Sequence, residues 1–555
     1  MASSYNYLFV SDLHLCEGRD PKTGWLSPNE DFFHGDNFAR FLAHHIALGR
    51  APDAPDHYRR PWKLILNGDI FDFLQVTSLP NEGDELYQVR GVRTYAELSP
   101  NERTYGLGTR QPEIIWKLKR IYRGHAAFFQ ALAWFLAHPG NQIVWMKGNH
   151  DIEIFWPGVQ LALRRVLRHA YASWQQQTAQ SDPQDPLPPY PEMLSDLSDE
   201  YLTEAILFPP SIIYEAGLFY AEHGCQYESA NAFQDFENPI LPGDDSSGQD
   251  DRVELPTGSL FVRYFFNRVE ETHPFADNIK PISRYVKWMV FNAPSAVIRF
   301  LLEFLPSYLR ASWETAKKQR QSANAVRKSN QTLSGNAPGS DPLNEAVRSG
   351  ILQVQQNSQQ QMKQATRRAG IGTLVSVLLT VGGLFLLLLA IRADSWLILL
   401  GGIGLALLLF FFGALLSRFL DDTLAKPYLF QSAGKIARLM EEKGDGAAPF
   451  FVFGHDHHAS ARPITAVSSP TSPIWYVNTG SWTPLFSEEE RLMRGDEHLT
   501  FLRLIPDKPG FRQSPPDLLE WPTQTAVPQP VRLFRPSADP TATMPDFADE
   551  PVNAR

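Results

Sequence analysis

Five short apolar runs, each ending in a polar cluster, constrain the fold of this chain more than any other feature. Tyr7–Val10 leads into Asp12 and His14, and Leu64–Leu66 into Gly68, Asp69 and Asp72. Ile143–Met146 leads into Gly148, Asn149, His150 and Asp151. Leu218–Ala221 leads into Glu222, His223 and Gly224, and Phe450–Phe453 into Gly454, His455 and His457. Uninterrupted apolar runs of this length read as strands buried on both faces, as in parallel sheets. In open α/β sheets the carboxyl edge of the strands is where sites form. Asp, His and Asn gathered at five strand tips suit hard or borderline divalent cations. The expectation is therefore an α/β fold with a binuclear metal site at one sheet edge.

Hydrophobic residues make up 43% of the 555, which is enough for a sizeable core. The net charge of −10 gives no basic surface of the kind nucleic acid requires, so no nucleic-acid partner is expected. Two cysteines, Cys16 and Cys225, cannot form a disulfide framework. Each follows a candidate ligand by two residues and reads as a small packing residue beside the site; a soft extra ligand or redox switch is the alternative. No basic start, apolar core and cleavage site mark a signal peptide, and the first run reads as a strand.

The runs 369–391 and 395–417 are charge-free, and only Arg392-Ala393-Asp394 lies between them. Each exceeds the roughly 20 residues that cross a bilayer, so a transmembrane helical hairpin is expected over 369–417. Arg367 and Arg368 precede it, and Arg418 and Lys426 follow. The positive-inside rule then puts both flanks in the cytoplasm. His223 and His455 lie on opposite sides of the hairpin in sequence, and two crossings return the chain to one side. The expected localisation is integral to the inner membrane of a bacterium, with the catalytic part cytoplasmic.

Around these anchors the chain divides into 1–230, an insertion over 231–368, the hairpin, 418–505, and a Pro-rich extended tail over 506–555. Within the first part, 113–136 reads as one helix and 74–110 as an irregular loop. Arg90, Arg93, Arg103 and Arg110 of that loop are candidates for one phosphate contact. His44 and His45 read as ordinary helix residues. Segment 231–254 reads as a solvated acidic loop. Segment 282–313 mixes aromatics and aliphatics with Arg and Lys, as an interfacial helix does; a helical cap on the core is the other reading. Segment 346–366 reads as a polar helix that could self-associate.

Taken in order, Asp12-x-His14, Gly68-Asp69-x-x-Asp72, Gly148-Asn149-His150-Asp151, His223-Gly224 and Gly454-His455-x-His457 resemble the calcineurin-like metallophosphoesterase superfamily. The Asp12-Leu13-His14-Leu15 opening and Asn67-Gly68-Asp69 are also similar to the branch containing UDP-diacylglucosamine hydrolases. The resemblance covers two blocks, residues 5–224 and 449–504. It implies a four-layer β-sandwich flanked by helices, here with the hairpin inserted. It implies one metal on Asp12, His14 and His457, a second on Asn149, His223 and His455, and Asp69 bridging them with one oxygen to each. His150 would donate to a phosphoryl or leaving-group oxygen, while Asp151 and Asp72 would orient the ligands and the site loop. Two divalent ions are implied, manganese first, with iron, zinc, nickel and magnesium as the other candidates. Phe73 stands where relatives often carry Arg or an aromatic hydroxyl, which bears on leaving-group recognition.

The function implied is hydrolysis of a phosphate ester or pyrophosphate bond at the cytoplasmic face, with a lipid-linked ester as the leading substrate class. Two alternatives stay open: an anchored nucleotide or phosphoprotein phosphatase, and a non-catalytic membrane scaffold on a phosphoesterase fold. Substrate identity, metal and oligomeric state are not legible in the residues.

Overall fold

The computed structural model describes residues 4–81, 83, 88–178, 185–243, 250–270, 302, 305–326, 341–365, 367, 400, 403–404, 428–446, 448–464, 473–484, 499–512, 514–523 and 525–531. Strand β1 is Asn6–Val10, β2 Trp62–Asn67, β3 Gln142–Met146 and β4 Ile206–Leu207. A hairpin follows, of β5 (Ile213–Glu215) and β6 (Phe219–Ala221). Beyond the small ribbon β7 (Ile240–Leu241) and β8 (Arg252–Val253) come β9 (Phe450–Phe453), β10 (Ser460–Ile464), β11 (Ile474–Asn478), β12 (Thr500–Leu504), β13 (Asp517–Glu520) and β14 (Gln529–Pro530). Among the described residues the large sheets run β14-β13-β12-β1-β2-β3-β4 and β10-β11-β9-β6-β5. Strands β1 to β4 are parallel, as are β6, β9 and β11; the flanking pairs are antiparallel.

Period-two alternation explains why these strands read as continuous apolar runs. Tyr7, Phe9, Ile65, Val144 and Met146 of the first sheet meet Phe219, Ala221, Phe450, Val452 and Val477 of the second in one core. Their neighbours Leu8, Val10, Leu64, Leu66, Ile143 and Trp145 turn the other way. They pack under helices α1 (Gly35–Leu48), α3 (Gln111–Gly124), α4 (Ala126–Leu136) and α5 (Pro157–Thr178). The short α2 (Pro100–Tyr105) lies between α1 and α3 in the chain. The far face of the second sheet, with Tyr220, Phe451, Phe453 and Tyr476, is covered by helix Tyr428–Lys443 and by Val347 and Ile351. The result is an α/β sandwich of two sheets between two helical layers. Burying a Phe or Leu side chain contributes about 1.5–3 kcal/mol, so the central strands β1, β2, β3, β6 and β9 are held from both sides.

Several expectations need correction. Residues 113–136 form two helices, because Gly124 packs its backbone against Glu17 and Gly18. A Cβ on Gly124 would lie 1.9 Å from the Glu17 carbonyl oxygen. His125 at the break sits 3.0 Å from Glu30 Oε2. The segment over 74–110 carries α2, whose Ser99 and Glu102 form a reciprocal capping box. The acidic segment 231–254 contains the β7–β8 ribbon. The polar helix spans 345–365 and docks on the chain's own second sheet through Val347 and Ile351. The tail is not merely extended: β13 and β14 lengthen the first sheet and bury Leu518, Leu519 and Trp521. Periodicity missed β10, an edge strand that carries Pro463.

The hairpin runs 369–391 and 395–417 fall outside the described residues, apart from Leu400, Ile403 and Gly404. Among the described residues no helix is long and apolar enough to cross a membrane. Most of 282–313 is also outside; its described end starts a helix, Leu305–Val326, that exposes Leu309 and Trp313.

Candidate metal centre

The ends of β1, β2, β3, β6 and β9 meet at one edge of the sandwich. Backbone hydrogen bonds tie them together: Asp12 N–H donates to Gly68 O (3.1 Å), His14 N–H to Asp69 O (3.0 Å) and Gly454 N–H to His223 O (2.9 Å). Trp482 N–H donates to Asp12 O (3.2 Å) from the loop after β11. The turns must be sharp for side chains on adjacent tips to converge. Among the described residues six non-glycine positions have positive φ. Five of these are Asp12, His14, Asp69, His455 and His457. Left-handed backbone at a residue with a Cβ costs on the order of 1–3 kcal/mol and gathers at functional sites. Two motif glycines answer a different need. A Cβ on Gly148 would stand 2.0 Å from Asp69 Oδ1, and one on Gly454 2.7 Å from Asp12 Oδ2. Each lets a ligand carboxylate lie against the next strand's backbone.

Six of the seven expected ligands fall into two groups whose ligand atoms lie within 4.8 Å of one another: Asp12 with His14 and His457, and Asp69 with His223 and His455. His457 Nε2 is 3.4 Å from Asp12 Oδ1 and 3.3 Å from His14 Nε2. Asp69 Oδ2 is 3.0 Å from His223 Nε2 and 4.0 Å from His14 Nε2, so it stands between the groups. Its other oxygen, Oδ1, accepts the His150 N–H at 2.8 Å. Oδ2 is thus the Asp69 oxygen that faces both groups. The seventh residue, Asn149, is buried, and its Oδ1 has no hydrogen-bond partner among the described residues. A buried amide oxygen without a partner is costly. A cation meets that need, and a donor set of carboxylate, amide and imidazole without thiolate fits manganese, iron, zinc, nickel or magnesium.

The ring nitrogens sort themselves by their partners. His223 donates from Nδ1 to Asn67 O at 2.9 Å, which leaves Nε2 toward Asp69. Burial opposes charge on His223, yet the Asp69 carboxylate lifts its pKa to about 9. Burial likewise opposes charge on Asp69, but His223 and His150 hold it well below the usual carboxylate range. Cation binding must therefore displace the proton from His223.

The three residues expected to act beside the ligands are placed as follows. Asp72 Oδ2 is 2.5 Å from His150 Nδ1 and 3.5 Å from His14 Nδ1, while Oδ1 accepts from the Leu74 and Gln75 amides. Burial works against the charge on Asp72, and His150 and His14 still keep its pKa low. Asp151 points away from the ligand atoms into the backbone: its carboxylate accepts from Gly148 N (2.6 Å) and Ile70 N (2.9 Å), joining two motif loops. Burial and the nearby Asp69 raise its pKa to about 6. His150 also falls within a third close group, with His14 and Asp72.

Motif reading gave no role to several residues around the site. Ser11 Oγ bonds Asp12 Oδ2 and lies 2.7 Å from Thr479 Oγ1. Glu222 is buried and accepts from Tyr220 and Tyr227; burial raises its pKa to about 7 against those bonds. Glu228 approaches His455. Of the four arginines, Arg93 pairs with Glu102 and Glu113, Arg110 with Glu113 and Asp250, and Arg103 donates to the Tyr95 and Ala96 carbonyls. These three are committed to holding their loop, and Arg90 is exposed. Cys16 and Cys225 are buried, which pushes both thiols up in pKa, and neither belongs to a ligand group among the described residues. His45 is buried in α1 with Nδ1 2.8 Å from Phe41 O, a packing role as expected.

No family model, curated protein or solved structure matches this chain.

Proposed function

We propose that the chain is a binuclear metal-dependent phosphoesterase of the calcineurin-like kind, held at a membrane by the hairpin over 369–417. The observation that carries this reading is the convergence of Asp12, His14, Asp69, His223, His455 and His457 in two adjoining groups, with Asp69 Oδ2 of the second lying 4.0 Å from His14 Nε2 of the first. In this reading Asn149 completes the second group. Two divalent ions so held would act as Lewis acids on a phosphoryl oxygen and lower the pKa of an attacking water. The chain's own part follows from its hydrogen bonds. Asp72 fixes His150 through Nδ1, so Nε2 is the nitrogen that donates to the leaving-group oxygen. General acid help of that kind is typically worth 10²–10⁴-fold. Asp151 keeps the Gly68 and Gly148 loops in register, and Asp69 Oδ1 holds the His150 amide.

A phosphate ester or pyrophosphate is the proposed substrate class, and the membrane tether favours a lipid-linked one. The exposed Leu309 and Trp313 suit contact with a bilayer surface. The test is hydrolysis of bis-p-nitrophenyl phosphate and p-nitrophenyl phosphate by full-length protein in detergent. Turnover should vanish after chelation and return with manganese. Metal-independent turnover, or none of either ester with manganese bound, would contradict the reading.

A further inference from the structure

The geometry points to Glu228 as the residue that positions His455 for a metal ion, an inference that rests on the binuclear reading above. Glu228 Oε2 lies 2.8 Å from His455 Nε2 and also accepts from Asn231 Nδ2 at 2.9 Å. A histidine that ligates a metal through one nitrogen generally gives the other N–H to a carboxylate or carbonyl. That contact fixes the tautomer and the ring and raises ligand basicity. With Nε2–H donated to Glu228, Nδ1 is the nitrogen assigned to the ion beside Asp69 and His223. The other histidine of the same group shows the same logic mirrored. His223 gives Nδ1–H to Asn67 O and turns Nε2 inward.

The burial pattern says which partner gains from the contact. The Glu228 side chain is 32% exposed and His455 only 5%. A carboxylate that solvent reaches needs no imidazole to satisfy it, whereas His455 stands on left-handed backbone at φ 72° and needs its ring fixed. Glu228 is itself anchored. Its amide donates to Cys225 O at the end of the turn Cys225–Tyr227, and Asn231 Nδ2 donates to the same carboxylate oxygen that faces His455. Glu228 is outside the ligand groups, so it acts on the ion through His455.

The experiment is manganese titration of full-length wild type, E228A and E228Q in detergent. Calorimetry and bound-metal analysis give occupancy, and the exchange-coupled EPR signal of a manganese pair reports whether both sites fill together. Circular dichroism and melting check the fold. Wild type should bind two ions. E228A should keep one and hold the other roughly 10–100-fold more weakly, with the coupled signal lost at sub-saturating manganese. E228Q, which still accepts from Nε2–H, should recover most of the affinity. Should E228A bind both ions as wild type does, Glu228 has no positioning role and the binuclear reading stands. Equal weakening in E228A and E228Q without change in fold would overturn the acceptor argument. Wild type that binds no ion would overturn the binuclear reading, and this inference with it.

Discussion

His150 Nδ1 lies 2.5 Å from Asp72 Oδ2, while the backbone N–H of the same histidine is held 2.8 Å from Asp69 Oδ1. One residue is thus fixed at ring and backbone by two carboxylates of a single motif. His150 keeps its orientation without help from a bound ion, as a proton donor must. The prediction is that His150→Ala lowers kcat by roughly 10²–10⁴-fold while leaving two bound ions. Metal analysis of the purified variant decides it. Loss of an ion together with the side chain would make His150 a ligand, as its grouping with His14 and Asp72 allows.

His138, at the C-terminal end of α4, gives a pH dependence well away from the metal centre. Its Nδ1 is 2.9 Å from Trp134 O, and its Nε2 is buried without a hydrogen-bond partner among the described residues. Burial lowers its pKa to about 4. The unfolded chain takes up this proton near pH 6.5 and the folded protein only near 4. Stability from this group is therefore complete at neutral pH and is lost as pH falls between those values. At pH 5 the loss should be about 2 kcal/mol. Melting of wild type and His138→Gln at pH 7.5 and 5 checks this. The variant should lose less on acidification, and equal losses would exclude His138 as the source.

Much of this architecture was legible because its signals are local. The five tips could be read since a strand buried on both faces is apolar throughout and its end must be polar to make a site. Asp72 and Asp151 were read from the same short motifs, and the structure sets both beside the ligand loops. What escaped was set by distant contacts. Gly124 breaks a helix because Glu17 and Gly18 come against it. Leu518 and Trp521 turn a Pro-rich tail into sheet because β12 offers an open edge. Arg93 and Arg110 looked available for phosphate until Glu102, Glu113 and Asp250 were brought beside them. Glu228 carries no motif, and only folding places it on His455.

The hairpin is predicted to be separable from the chemistry. Strand β9 pairs with β6 across the insertion, with Tyr220 opposite Phe451. Val347 and Ile351 before the apolar runs share a core with Ile436 and Met440 after them. The chain therefore returns to the layer it left. Replacing 369–417 by about ten Gly/Ser residues, with a span of roughly 16–19 Å, should release the protein from membranes and preserve hydrolysis of a soluble diester. Turnover of a lipid-linked ester in vesicles should fall much further, because surface concentration is lost. Equal losses would indicate anchoring without substrate selection. A truncated protein that stays on membranes would locate a second attachment at the Leu309 and Trp313 surface.

The most direct test of the central claim is the metal content and turnover of Asp69→Asn beside wild type. Asp69 Oδ2 stands between both ligand groups, so losing its charge should weaken both sites at once, whereas altering a ligand's neighbour alone costs 10–100-fold. Two manganese ions per wild-type chain are expected. In Asp69→Asn, occupancy should drop at both sites and turnover of bis-p-nitrophenyl phosphate should fall by more than about 99%, two decades being the least that a bridging ligand should exceed. A folded Asp69→Asn protein that holds two ions and turns over at the wild-type rate would contradict the account.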